Sequence, residues 1–136
     1  DKLYDYVIDK KLNVIVDGTF ASEQSSFKNI ERSMKHNRKI EIYYIYQEPV
    51  LAWEFTQIRE RKEGRRITKE AFIMSFVNSR QNVNSAKNVF KERVELNLII
   101  KNFKNDQDKI ETNIDNVDKY LQQEYTVDNL NNLIRL

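Results

Sequence analysis

The amino-acid sequence predicts an α/β domain: an open parallel sheet with flanking helices. Three observations carry that expectation. Residues 13–17 form a short continuous apolar run that ends in Asp17, the pattern of a strand covered on both faces. Residues 40–46 and 94–100 carry apolar side chains at strand period, and the stretches between the three runs repeat at three and four residues, as helices do. Strands separated by helices imply right-handed crossovers, and ligands of such sheets bind beyond the carboxyl ends of the strands.

Taken in order, Leu3, Tyr4, Val7 and Ile8 predict an uncapped amphipathic helix over residues 1–12. The strand at 13–17 follows, closed by Gly18. Phe27, Ile30 and Met34 share a helical face within residues 22–37, with Ser22 or Ser25 as cap and Lys35, His36 and Arg38 at the carbonyl end. In the second strand Ile40, Ile42, Tyr44 and Tyr46 alternate with Tyr43 and Ile45, so both faces are expected to be covered. Pro49 suits a first helical turn, where its missing amide costs nothing. Leu51, Phe55 and Ile58 form the expected buried stripe of that helix, and Gly64 ends it. Thr68 caps a longer helix with Phe72, Phe76, Val83, Ala86 and Phe90 on one face. After the strand at 94–100, the Asn, Asp and Lys residues of 102–109 predict a loop. Ile110, Ile114, Val117 and Leu121 predict a further helix, and Thr126 the cap of a last one carrying Leu130, Leu133 and Ile134.

Composition narrows the function. The 136 residues fit one domain, with 23 Lys and Arg against 21 Asp and Glu and a formal net charge of +2, which does not announce nucleic acid. No Cys means no disulfide, and a single His without Cys cannot build the usual structural zinc site. No apolar run approaches the roughly 18 residues of a membrane span, so no membrane partner and a cytoplasmic location are expected. Glycine is scarce. With only two, the chain has no glycine-rich loop to cradle phosphate on backbone amides.

Two places could carry chemistry. A strand tip at Asp17 has the form of a Walker B element, whose carboxylate holds Mg²⁺. Asp-Gly is equally a common turn dipeptide, so a metal ligand and a plain turn both remain open there. The Thr19 hydroxyl serves either a substrate oxygen or a loop amide. The second place is Arg59, Arg61, Lys62, Arg65 and Arg66 around Gly64. Planar, permanently charged guanidinium groups suit a transferring phosphoryl group, yet Glu54, Glu60 and Glu63 among them also fit a solvated helix end. His36 reads as a solvated helix-end residue, and Trp53 and the strand tyrosines read as core.

The order of motifs is more specific than any one of them. Residues 13–20 (Asn-Val-Ile-Val-Asp-Gly-Thr-Phe), Tyr46-Gln47-Glu48-Pro49 with Ala52-Trp53-Glu54-Phe55-Thr56, Arg59-Glu60, Glu63-Gly64-Arg65-Arg66, Asn82-Val83-Asn84 and the strand at 96–101 together resemble the zeta toxin family over about residues 1–103. The resemblance implies a P-loop NTPase-like fold. It implies an ATP- and Mg²⁺-dependent kinase that phosphorylates a hydroxyl of a nucleotide sugar such as UDP-N-acetylglucosamine, and an antitoxin as protein partner. It places Asp17, Gly18 and Thr19 in the loop that meets substrate and metal, with Asp17 as metal ligand. Arg59 becomes the helix arginine that reaches the nucleotide phosphates, and Arg65 or Arg66, with Arg66 preferred, the lid arginine over the γ-phosphate.

One departure qualifies the resemblance. In the family, a first strand, a glycine-rich P-loop ending in Lys-Ser or Lys-Thr and a catalytic Asp precede the segment matched by residue 1. The 136 residues contain none of them, so this chain alone is expected to be inactive and to be an N-terminally truncated part of a longer kinase. The absent strand would lie between those at 13–17 and 40–46, leaving two apolar edges. The alternative class is a non-catalytic binding module that docks an antitoxin-like protein, or nucleic acid through the arginine cluster; nucleic acid is the less expected of the two.

Overall fold

Ser22 sets the start of the helix that roofs the first part of the sheet. Its Oγ accepts from the Ser25 amide at 3.3 Å, satisfying one of the orphan donors at the beginning of α2 (Glu23–Lys35). The structure, a computed structural model, describes residues 2–101 and 108–134. Before α2 comes α1 (Lys2–Asp9), which lies against it. The Tyr4 hydroxyl donates to the Asn29 carbonyl at 3.0 Å and shares a 2.6 Å hydrogen bond with Ser33, while Arg32 pairs with Asp5 and sits over the Tyr4 ring.

The sheet has three strands in the order β1-β2-β3. β1 (Glu41–Tyr46) runs parallel to β2 (Glu95–Ile100), with Ile42 opposite Leu96 and Tyr44 opposite Leu98. β3 (Lys109–Glu111) is antiparallel to β2, with Ile110 opposite Ile99. Between β1 and β2 run α3 (Pro49–Glu63), α4 (Lys69–Phe90) and a 3₁₀ turn at Lys91–Arg93. The even-numbered residues Ile42, Tyr44, Leu96 and Leu98 pack against Val83 and Ala86 of α4 and Ile30 of α2, as period-two strands and an amphipathic helix dictate.

α3 begins as its sequence requires. Pro49 occupies the first turn, the Glu48 carboxylate accepts from the Leu51 amide at 3.0 Å, and Gly64 closes the helix at φ 69°, its amide donating to the Glu60 carbonyl. Thr68 caps α4 by accepting from the Ala71 amide at 3.2 Å. A second apolar cluster, away from the sheet, joins Trp53 of α3, Phe72 and Ile73 of α4, and Leu130 and Ile134 at α5 (Val127–Leu133). Tyr46 and Phe76, rings 6.1 Å apart, touch across the boundary between the two clusters.

The sheet corrects the expectation in three respects. First, residues 13–17 form no strand: Val14, Ile15 and Val16 are exposed, Ile15 at 96%. A strand exists only where a neighbour takes its hydrogen bonds, and none lies beside this run among the described residues. The sheet is therefore small and mixed, not open and parallel, within an α/β arrangement that does hold.

Second, the expected helix at 110–121 is absent. β3 occupies its start, the rest is irregular around a 3₁₀ turn at Val117–Lys119, and Ile110 is exposed. Its backbone donors are claimed by other groups: the Ile114 amide donates to the Leu96 carbonyl, the Asn113 amide to Asn97 Oδ1 at 3.0 Å and the Val117 amide to Asn84 Oδ1 at 2.9 Å. Ile114, Val117 and Leu121 are buried nonetheless, through an extended path rather than a helical face. Residues 102–107 of the expected loop lie outside the described residues.

Third, α3 buries Pro49 and Trp53, while Phe55 and Ile58 of the expected stripe are exposed. The indole is the largest side chain on the helix, and its tilted contact with Phe72, centroids 5.2 Å apart, decides which face turns inward.

Candidate functional site

The loop after residue 16 is fastened from α4. Phe20 takes a left-handed backbone, φ 57°, and its carbonyl accepts from Asn82 Nδ2 at 2.9 Å, while its ring packs against the sheet core. Ser85 donates to Glu23 at 3.0 Å just beyond. These ties leave Asp17, Gly18 and Thr19 exposed at the tip. Thr19 Oγ1 accepts from the Ala21 amide at 3.3 Å, the plain loop role; its own proton stays free to donate. Gly18 has no positive φ, and a Cβ there would meet nothing within 4 Å, so local backbone geometry does not require glycine.

The arginine turn stands at the far end of α4. Arg59 and Arg61 lie on the last turns of α3 and are exposed. Arg65 and Arg66 follow Gly64; their Nε atoms lie 3.8 Å from Glu63 and 3.7 Å from Glu60, and both side chains are mostly in solvent. Pairs this long and this wet contribute about 0–1 kcal/mol, so little restrains either guanidinium from turning to a stronger anion.

The two expected halves of the site are not in contact. Among the described residues no hydrogen bond or ion pair joins Asp17–Thr19 to Arg59, Arg65 or Arg66. Their anchors on α4, Asn82 and Thr68, are separated by roughly 21 Å of helical rise. Nor do three His, Cys, Asp or Glu residues converge as a metal cage among the described residues. Asp17 alone still fits Mg²⁺, which takes one or two carboxylates and completes its shell with phosphate and water. No helix of the described residues is long and apolar enough to cross a membrane.

At the carboxyl end of β1, Tyr46 and Tyr125 lie with Glu48 near both. Burial, and then the neighbouring Tyr125, pushes the Tyr46 phenol up to about 12, so it is a neutral hydrogen-bonding group at any ordinary pH.

Sequence reasoning missed Arg80. It is buried on the apolar face of α4, its Nε 2.6 Å from Asp118 and its Nη1 donating to the Gln123 carbonyl at 2.6 Å; Nη2 has no partner among the described residues. The signal was present: Arg80 falls four residues after Phe76 and three before Val83, in the row read as core. A cation in such a row implies a buried counter-charge.

Residues 1–121 match the model of the family described as Zeta toxin. The chain belongs to the zeta toxin family. Its match extends past β2 to Leu121, so it takes in the Asp118 that pairs with Arg80 and stops before α5. The zeta toxin family is P-loop-like and nucleotide-binding, with a kinase theme. Among curated proteins none matches the chain.

Proposed function

We propose that this zeta toxin chain forms the lid and substrate-facing part of an ATP- and Mg²⁺-dependent kinase. The kinase moves the γ-phosphate of ATP to a hydroxyl of a small molecule, with a nucleotide sugar such as UDP-N-acetylglucosamine as first candidate. The carrying observation is the arginine turn: exposed guanidinium groups at a helix end, paired only at the outer limit of an ion pair. In transfer the acceptor oxygen bonds to the γ-phosphorus, the bond to the bridging oxygen breaks, and the acceptor proton leaves to a base. Arg59 would meet the nucleotide phosphates, and Arg66, or Arg65, would neutralise the equatorial oxygens as charge spreads over them. Asp17 would hold Mg²⁺, and Gly18 and Thr19 would face the acceptor. The two anchors stand apart on α4, so this reading requires the turn to approach the loop when nucleotide binds.

The 136 residues contain no glycine-rich phosphate-cradling loop, and in this reading they do not turn over by themselves. Labelled ATP offered with a panel of hydroxyl acceptors to the full-length protein tests it. Turnover that Arg66→Ala abolishes while circular dichroism stays unchanged supports the assignment; full activity in that variant removes it. Phosphorylation by the 136 residues alone would overturn the division of labour.

A second reading, a non-catalytic module that docks an antitoxin-like protein, is favoured by the apolar side chains at 14–16 and on the outer face of β1. Nucleic-acid docking through the arginines would instead show a steep loss of affinity with salt. A cytoplasmic location accords with either reading.

A further inference from the structure

The residues that flank the arginine turn share an apolar cluster with a helix that lies beyond the family match. That match ends at residue 121, and α5 begins at Val127. Leu130 and Ile134 are buried completely or nearly so, in one cluster with Trp53 of α3 and Phe72 and Ile73 of α4. Ile67, the residue directly after Arg66, packs against the same cluster. A polar tie runs alongside: Lys69 Nζ donates to the Asn131 carbonyl at 2.9 Å. A capping box between Thr126 and Asn129 fixes where α5 starts, and a helix of 7 residues holds its shape only through such a cap and its buried side chains.

The turn has little rigidity of its own. Its ion pairs are long and solvated, so its position is set by its flanks, Trp53 on α3 and Ile67 on the connection. Both flanks rest on the cluster that Leu130 and Ile134 complete, and neither rests on the sheet core. We propose that α5 is a brace for the arginine turn, with Leu130, Ile134 and Lys69 as positioning residues that hold Arg65 and Arg66 for a polyphosphate ligand. The ligand part rests on the function proposed above; the bracing part stands without it.

Hydrogen exchange on the full 136-residue chain separates the two. Leu130→Ala should speed exchange at residues 59–68 by roughly tenfold or more while amides of β2 keep their protection. Lys69→Met should shift the same region by a smaller factor, and Lys69→Arg should restore it. If exchange at 59–68 does not change, or rises equally in β2, the brace is overturned; if Leu130→Ala fails to fold, the Lys69 pair decides. Titration with inorganic tripolyphosphate at low salt tests the ligand part. Weaker binding in Lys69→Met with rescue in Lys69→Arg supports it, and unchanged binding with a loosened turn overturns it. Absence of binding by the wild-type chain would count against the proposed function and leave the exchange result to decide the brace.

Discussion

Arg80 and Asp118, 38 residues apart, meet through an Nε–Oδ1 contact of 2.6 Å that ties the middle of α4 to the irregular segment after β3. The second Asp118 oxygen accepts from Asn84 at 2.9 Å. Removing the carboxylate strands a buried guanidinium, whereas removing the guanidinium leaves a carboxylate that water still reaches. Asp118→Ala is expected to cost about 2 kcal/mol, less than a fully buried pair because Asp118 is partly exposed, and Arg80→Met distinctly less. Urea midpoints of the two variants check the order.

Tyr44 makes stability fall in alkali. Burial pushes its phenol up to about 12, against the opposing pull of the Ser79 hydroxyl and the Arg80 guanidinium. The unfolded chain releases this proton near pH 10 and the folded chain only near 12, so the contribution is complete below the first value and is lost as pH rises through the second. Between them Tyr44 accounts for a fall of about 1.4 kcal/mol per pH unit. Urea unfolding at pH 9, 10 and 11 should show the fall, and Tyr44→Phe should flatten part of it.

The two glycines predict opposite outcomes. Gly64 sits at φ 69°, where any Cβ is strained, so Gly64→Ala should cost about 1 kcal/mol. Gly18→Ala meets neither strain nor contact and should leave the thermal midpoint unchanged. A loss of substrate affinity in Gly18→Ala at full stability would then report on the loop's role in binding.

Arg66→Ala should change stability by less than about 0.5 kcal/mol, since its pair with Glu60 is long and wet. A thermal shift larger than that would mean the arginine is structural, and any activity lost in the variant would need another explanation.

β1 is an edge strand whose outer face carries Tyr43 and Ile45, more than half exposed, and Ile15 is almost wholly in solvent. Such surface drives association between chains. Ile15→Lys and Ile45→Lys are each expected to lower the concentration dependence of the sedimentation coefficient, and the double variant to lower it further.

Much of this fold was legible because it is local. Ser22, Thr68 and Thr126 cap helices and Gly64 terminates one, but β1, expected to be covered on both faces, is covered on one, since Tyr43 and Ile45 are exposed. What escaped depends on partners distant in sequence. Residues 13–17 read as a strand from apolarity alone, but pairing decides whether a strand exists. The segment at 110–121 kept its buried side chains yet lost its helix to the carboxamides of Asn84 and Asn97, which no periodicity reveals. The arginine turn was visible as a charge cluster; that α5 underlies it was not, because Leu130 and Ile134 announce burial without naming what they touch.

Among the described residues α4 is the one helix whose side chains enter both apolar clusters, Phe72 and Ile73 in one and Val83 and Ala86 in the other. Apart from Tyr46, which meets both Phe76 and Tyr125, the two clusters share no core residue among the described residues. Substitutions in the two clusters should therefore combine additively, and each could drift in sequence under its own packing constraint. A lineage could remodel the face around the arginines through residues 53, 72, 73, 130 and 134 without having to rewrite the sheet.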